Sequence, residues 1–195
     1  MYVGYGSGGM ALINPVAHKQ IGNVKLSAHP ESFQLDKKNN KLYVNLPDDH
    51  SIAVIDLKSL TIVDKWKISK YRANFPMTLD TLNNLVFVGY RHPAVLVSYD
   101  SKNGKQVTTN ELAGDVDDIF YNADKQEVIA SGGDGYINIF EKGADNNFKL
   151  VSNIRTRHGG RTSLFIPSLK TYILAERANG GKSASLAVYK IDGSN

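Results

Sequence analysis

The feature that most constrains this chain is an internal repeat. Short apolar runs recur with spacings of 41, 44, 42 and 44 residues between matching positions. A period of about 40–45 residues with several short strands in each unit is typical of the blades of a WD40-like β-propeller. The repeat therefore predicts an all-β protein built from propeller blades. The matching runs are Tyr2–Gly4, Leu42–Val44, Val86–Val88, Val128–Ala130 and Tyr172–Leu174.

The unit 29–70 shows the internal order of one blade. It contains four short alternating or β-branched runs, separated by turns rich in Asp, Asn, Lys and Pro. Such a pattern is typical of an antiparallel meander. The same order returns in units 71–113 and 114–157, whereas units 1–28 and 158–192 contain only three runs each. We therefore predict a single partial domain of about 4.5 four-stranded antiparallel blades, with eighteen strands.

Eighteen strands do not close a ring of four-stranded blades, and ring closure is how propellers protect their edge strands. We therefore expect an open arc, either an N-terminally truncated propeller or a half that pairs with another chain. Its two open ends are expected to expose unpaired strands. Such edges favour self-association.

Two units carry a family resemblance. Leu42–Asp56 reads LYVNLPDDHSIAVID, and Val86–Asp100 reads VFVGYRHPAVLVSYD. Both resemble the YVTN-repeat β-propeller family, and the resemblance extends over essentially the whole chain. It implies about seven blades in a full member, export to the bacterial periplasm or cell surface, and a binding role without defined catalysis. The N-terminus lacks the basic and apolar regions of a signal peptide, so the sequence leaves the compartment open.

Composition narrows the chemistry. The 195 residues include no cysteine, which excludes disulfides, thiolate nucleophiles and Cys-ligated metals. No apolar run is long enough to predict a membrane span. The net charge of +4 is mild, and the basic residues are scattered along the chain. The sequence also contains no recognisable catalytic motif, and it predicts no cofactor.

The candidate site is a ring of polar residues at the start of successive blades. In a propeller the first strand of each blade lines the central channel, so residues just before these strands converge although they lie far apart in sequence. A non-functional explanation competes with this one: polar residues are also expected at these positions if the loops are simply solvated, or if acidic and basic side chains pair with each other across the channel. The predicted ligand-binding residues are His29, Glu31, Arg72, Asn74, Asp117, Asp118, Arg161 and Thr162.

The favoured interpretation is a non-enzymatic binding or scaffold module. It would engage a protein partner or a small anionic ligand at the channel mouth, chiefly through Arg72, Arg161, Asn74 and His29.

Two alternatives stay open. One is a lactonase-like or other hydrolase, supported by fold analogy alone, in which Glu31, Asp117, Asp118 and His29 would supply a base or metal ligands. No metal site is predicted, because DVDD does not match a calcium-loop pattern. The other alternative is single-stranded nucleic-acid binding through aromatic stacking and positive charge.

Overall fold

The chain folds into five separate antiparallel sheets. The computed structural model describes residues 1–6 and 8–191, and eighteen strands lie within them. The end of the predicted unit 158–192 lies outside the described residues. Over the described part, no helix is long and apolar enough to cross a membrane.

Sheets 1 and 5 have three strands each, and sheets 2 to 4 have four. Sheet 1 contains β1 (Tyr2–Tyr5), β2 (Gly9–Asn14) and β3 (Lys19–Lys25). Sheet 2 contains β4 (Phe33–Asp36), β5 (Lys41–Leu46), β6 (Ser51–Asp56) and β7 (Thr61–Lys67). Sheet 3 contains β8 (Arg72–Asp80), β9 (Leu85–His92), β10 (Ala94–Asp100) and β11 (Gln106–Glu111). Sheet 4 contains β12 (Val116–Asn122), β13 (Glu127–Gly132), β14 (Tyr136–Lys142) and β15 (Phe148–Arg155). Sheet 5 contains β16 (Ser163–Ile166), β17 (Thr171–Glu176) and β18 (Ser185–Lys190). Short 3-10 turns occupy Pro47–Asp49, Ala144–Asn146 and Pro167–Leu169.

The sheets are stacked as blades around a common channel. The first strands of neighbouring sheets contact each other in the order β4, β8, β12 and β16. The arc that they form is open rather than closed. The all-β propeller arc predicted from the repeat is therefore confirmed.

The position of a strand within its blade determines how deeply it is buried and how apolar its sequence is. Every residue of β13 is buried, and so is all of β5 except its first residue, because these strands lie between two neighbouring sheets. Outer strands such as β7 are mostly exposed and carry lysines. Burial on both faces explains why the second strands read as continuous apolar runs rather than as alternating ones.

Aromatic side chains join sheets 2 and 3. Trp66 lies between Tyr43 and Tyr99, with ring centroids 5.4 and 6.1 Å away. The Tyr43 hydroxyl donates a hydrogen bond of 3.0 Å to the Ser101 carbonyl, and burial raises the pKa of Tyr43 to about 12. Trp66 is thus a packing residue between two blades.

Candidate ligand-binding site at the channel mouth

The loops that lead into the first strands border a polar cavity, called here the channel mouth. Its volume is about 320 Å³. A second cavity of about 340 Å³ lies beside it, and the two share Ser32 and Asp117. Together they provide the space of an ordinary small-ligand site. The channel mouth is lined by Glu31, Ser32, Phe75, Arg91, Asp117 and Arg161.

Two arginines and two aspartates form a closed ion-pair network there. Arg91 lies 3.2 Å from Asp115 and also pairs with Asp117. Arg161 lies 2.8 Å from Asp117 through Nε and also pairs with Asp115. Each carboxylate is therefore shared by two guanidinium groups, and the four charges balance. Hydrogen bonding to Asp115, together with the charge of Asp117, raises the pKa of Arg161.

Three sheets supply this network. Arg91 belongs to β9 of sheet 3, the aspartates lie at the start of sheet 4, and Arg161 precedes β16 of sheet 5. The Arg91 Nε also donates a hydrogen bond of 3.0 Å to the Val116 carbonyl. The network thus ties the mouths of three neighbouring blades together.

Local irregularities in two first strands accompany the site. The pairing of β12 with β13 shifts register between Val116 and Asp118, which leaves Asp117 as the extra residue. The pairing of β8 with β9 shifts in the same way between Asn74 and Met77, around Phe75. A β-bulge of this kind redirects a side chain and is common beside functional sites. The Phe75 ring lies 4.5 Å below the Arg91 guanidinium, a cation–π contact.

Three of the eight predicted residues come together at the channel mouth: Glu31, Asp117 and Arg161. Glu31 also lines a neighbouring cavity of about 220 Å³ that includes His29. The His29 ring nitrogen Nδ1 contacts the Gly6 carbonyl. Thr162 is exposed and, together with Arg161, lines a separate cavity of about 710 Å³. Its carbonyl accepts a hydrogen bond of 2.9 Å from the Ala175 amide.

The structure places Arg72 and Asn74 away from the cavity. The Arg72 guanidinium donates to the carbonyls of Ser69 and Tyr71, at 3.0 and 2.9 Å, within its own loop. Asn74 is buried, and its amide donates to Asn45 Oδ1 at 3.3 Å and to the Ser51 carbonyl at 3.1 Å. Both residues thus have partners within the fold, and Asn74 joins sheet 3 to sheet 2.

Asp118 connects sheets 4 and 5. Its Oδ2 accepts a hydrogen bond of 2.7 Å from the Ser163 amide, at the start of β16. Burial raises the pKa of Asp118, and this hydrogen bond partly opposes the rise. Asp118 lines the second cavity, which shares Ser32 and Asp117 with the channel mouth.

The sequence did not identify Arg91, Asp115 and Phe75 as site residues. Arg91 lies at the end of a second strand, whereas the prediction considered only the starts of first strands. Asp115 carries a weak signal, because it precedes Asp117 by two residues in the run DVDD. Aligning the repeats by their apolar runs cannot reveal a β-bulge. Nothing in the sequence therefore indicates that Phe75 faces the cavity.

The residues proposed for a metal are not grouped as ligands. Across residues 1–6 and 8–191, no cluster of three or more His, Asp or Glu side chains is placed to hold a metal ion. Asp117 is already bound by two arginines.

Comparisons with known proteins place the fold within a class. The chain is similar to the dihydro-heme d1 dehydrogenase NirN in complex with DHE, at 12% identity and a TM-score of 0.72 over 90% of this chain. It is similar to a protein in a mitotic checkpoint complex, at 16% identity and a TM-score of 0.77 over 89% of this chain. It is also similar to Kuenenia stuttgartiensis hydrazine synthase, at 14% identity and a TM-score of 0.71 over 93% of this chain.

These likenesses define the chain as a β-propeller protein. The chain spans 39%, 55% and 56% of the lengths of these three structures, in the same order. At such low identities the likeness shows the fold alone. No family model matches the sequence. The search of curated proteins likewise found no match.

Proposed function

We propose that this chain is a non-enzymatic binding or scaffold propeller that engages a partner at the channel mouth. The observation that carries the proposal is the paired cavity lined by Glu31, Asp117 and Arg161, in which two bulged strands place Phe75 and Asp117. The cavity combines an aromatic ring with charged groups on a sheet framework. Such a combination suits recognition of a polar group.

The charge balance favours a basic group on a protein partner over the small anionic ligand, the other possibility that the sequence left open. Arg91 and Arg161 are both occupied by Asp115 and Asp117, and Arg72 is bonded within its own loop. Glu31 adds a further carboxylate to the cavity. A lysine or arginine side chain of a partner would supply the missing counter-charge.

The same balance gives no support to single-stranded nucleic-acid binding. A phosphate backbone would have to displace carboxylates from both arginines of the channel mouth. The hydrolase alternative has no specific observation in its favour either.

Membership of the YVTN-repeat family, with export to the periplasm or cell surface, forms part of this proposal. It is supported by the run LYVNLPDDHSIAVID in unit 29–70 and its counterpart in unit 71–113. Fractionation of cells that produce the native protein would test the compartment, and recovery only from the cytoplasm would contradict export.

The binding test uses two labelled hexapeptides, one of alternating lysine and glycine and one of alternating glutamate and glycine. Fluorescence anisotropy should show binding of the basic peptide and weaker or no binding of the acidic one. Glu31→Gln should weaken binding of the basic peptide about two- to fivefold, because an exposed ion pair contributes up to about 1 kcal/mol.

The matched control is Glu111→Gln, which removes an exposed glutamate on the outer strand β11. It should leave affinity unchanged. Preference for the acidic peptide, or equal losses for both variants, would overturn the assignment of a basic ligand to the channel mouth.

A further inference from the structure

Exposed apolar side chains occupy turn tips at the far end of the blades, the end opposite the channel mouth. At this end, turns join the first strand of a blade to the second and the third strand to the outer one. Leu82, between β8 and β9, is 74% exposed, and Leu169, between β16 and β17, is 61% exposed. Val16, between β2 and β3, is 89% exposed. Three blades thus carry an exposed apolar tip at the same end.

The turns themselves hold two of these tips in place. The buried Asp80 carboxylate accepts hydrogen bonds from the Leu82 and Asn83 amides, at 3.0 and 3.1 Å. Asn14 Oδ1 likewise accepts a hydrogen bond of 3.0 Å from the Val16 amide. Such side-chain-capped turns fix the backbone at the tip. Leu82 and Val16 are therefore held out from the blades.

Lysines from neighbouring blades border the two leucine tips. Lys38 Nζ of sheet 2 donates to the Thr81 carbonyl at 3.5 Å, and Lys142 Nζ of sheet 4 donates to Asn83 Oδ1 at 2.9 Å. These two ammonium groups thus lie on either side of Leu82. At the other tip, Lys170 follows Leu169 and lines a cavity of about 110 Å³ together with Lys125 of sheet 4.

The charge at the far end is predominantly positive. Several of its carboxylates are withdrawn from the surface, since Asp36, Asp80 and Glu127 are all buried. Asp56 and Asp100 accept hydrogen bonds from the amides of their own turns. The lysines of the same turns reach solvent, and they outnumber the exposed acids Asp124 and Glu141. These lysines are Lys37, Lys38, Lys58, Lys102, Lys125 and Lys170.

This composition favours a lipid surface over a protein partner. All six arginines of the chain lie toward the channel mouth, so the far end relies on lysine for its positive charge. Protein interfaces are enriched in arginine and aromatic residues and depleted in lysine. Aliphatic side chains bordered by lysines suit a membrane surface, where the apolar groups enter the headgroup boundary and the ammonium groups meet anionic lipids. A nucleic-acid backbone would match the lysines but offer the leucines no apolar contact.

We propose that the far end of the blades docks on a membrane surface that contains anionic lipids. Leu82, Leu169 and Val16 enter the boundary between headgroups and acyl chains, and the lysines bind the lipid headgroups. The channel mouth then faces away from the membrane and stays open to a partner. This inference does not depend on the proposed ligand of the channel mouth.

The test is co-sedimentation with vesicles of phosphatidylcholine alone or of equal parts phosphatidylcholine and phosphatidylserine. The wild type should sediment with the anionic vesicles and much less with the neutral ones, and high salt should weaken binding. Leu82→Ser should lower the partition coefficient about three- to tenfold, because it removes an apolar group from the lipid boundary. Lys37→Glu combined with Lys38→Glu should lower it by about tenfold or more.

Two variants at the opposite end are the matched controls. Leu186→Ser removes a leucine that is 68% exposed near the mouth end of β18. Lys67→Glu combined with Lys70→Glu makes the same change in net charge at the mouth end of sheet 2, where both lysines are exposed. Both controls should bind much as the wild type does. Far-UV circular dichroism shows whether each variant is folded.

A fluorescent label measures insertion directly. The chain contains no cysteine, so Leu82→Cys provides a single site for an environment-sensitive fluorophore. Its emission should shift to the blue on anionic vesicles, whereas the same label on Leu186→Cys should not respond.

Three results would overturn the proposal. Absence of sedimentation with either vesicle would leave the far end to a protein partner. Equal losses for the two charge-reversed pairs would show that total charge, rather than the far end, governs binding. Sedimentation without a spectral shift at position 82 would show that the leucine tip does not enter the bilayer.

Discussion

The two ends of the first strands use carboxylates differently. At the far end of sheet 2, Asp36 ends β4 and accepts hydrogen bonds from Asn39 N and Nδ2, at 3.0 and 2.7 Å. Asp56 there accepts from Lys58 N and Ser59 N, at 3.0 and 2.8 Å. All these bonds span at most three residues. At the channel mouth, by contrast, Asp115 and Asp117 are bound by arginines from two other sheets.

The two sets of carboxylates therefore act at different stages: one within the folding of a single blade, the other in the assembly of several blades. A turn closed by its own aspartate can form as soon as its hairpin forms. The network at the channel mouth forms only when three sheets are in place, because Arg91, Arg161 and the two aspartates come from three different sheets. The far end therefore stabilises single blades, whereas the network at the mouth depends on the arrangement of several blades.

The largest expected effect tests the local role of the far end. Asp36→Ala should lower the free energy of unfolding by about 1–3 kcal/mol, since Asn39 then loses the buried carboxylate that accepts its hydrogen bonds. Urea unfolding followed by circular dichroism measures the change. Asp100→Ala is the control, because Asp100 makes similar bonds to Lys102 and Asn103 in a more exposed turn. A loss for Asp36→Ala no greater than for Asp100→Ala would contradict this account.

The same contrast explains what could be predicted from sequence. Turns such as Asp36 to Asn39 follow local residue preferences, so the strands and their order in each blade were predictable. The convergence of Glu31, Asp117 and Arg161 was also predictable, since it follows from the repeat. The role of Arg91 was not, because its partners are set by two other sheets and by a bulge. Asn74 has the right position in sequence, but its amide is turned inward between the blades.

A second, smaller effect tests the shared network at the channel mouth. Arg91→Gln or Arg161→Gln alone leaves both aspartates with one arginine each. The double variant leaves two neighbouring carboxylates without a counter-charge. Its loss of stability should exceed the sum of the single losses by about 1 kcal/mol in a double-mutant cycle.

The control cycle combines Arg91→Gln with Arg157→Gln. Arg157 pairs with Glu176 at 3.3 Å, outside the network, so these two changes should be additive. High salt should reduce the coupling between Arg91 and Arg161, since both are partly exposed to solvent. Equal coupling in the two cycles would show that the network does not act as a unit.

The smallest expected effect concerns how the stability contributed by carboxylates at the two ends depends on pH. The Ser59 amide is the largest factor that lowers the pKa of Asp56, from 3.8 to about 2. The stability that ionised Asp56 contributes is therefore present above its ordinary pKa and is lost as the pH falls toward 2. Asp56→Asn should be less stable than the wild type at neutral pH, and the difference should disappear on acidification.

Asp118 should show the opposite sign, because burial raises its pKa above 3.8. Its protonated form stabilises the fold below the ordinary pKa, and that stabilisation is lost as the pH rises through the raised value. Asp118→Asn keeps an oxygen for the Ser163 amide and carries no charge, so it should be more stable than the wild type at neutral pH. The two proteins should converge in acid. Unfolding free energies of both variants, measured over one pH series, test this contrast. If Asp56→Asn and Asp118→Asn changed the free energy of unfolding at neutral pH in the same direction, the result would contradict the view that local hydrogen bonds dominate one carboxylate and burial the other.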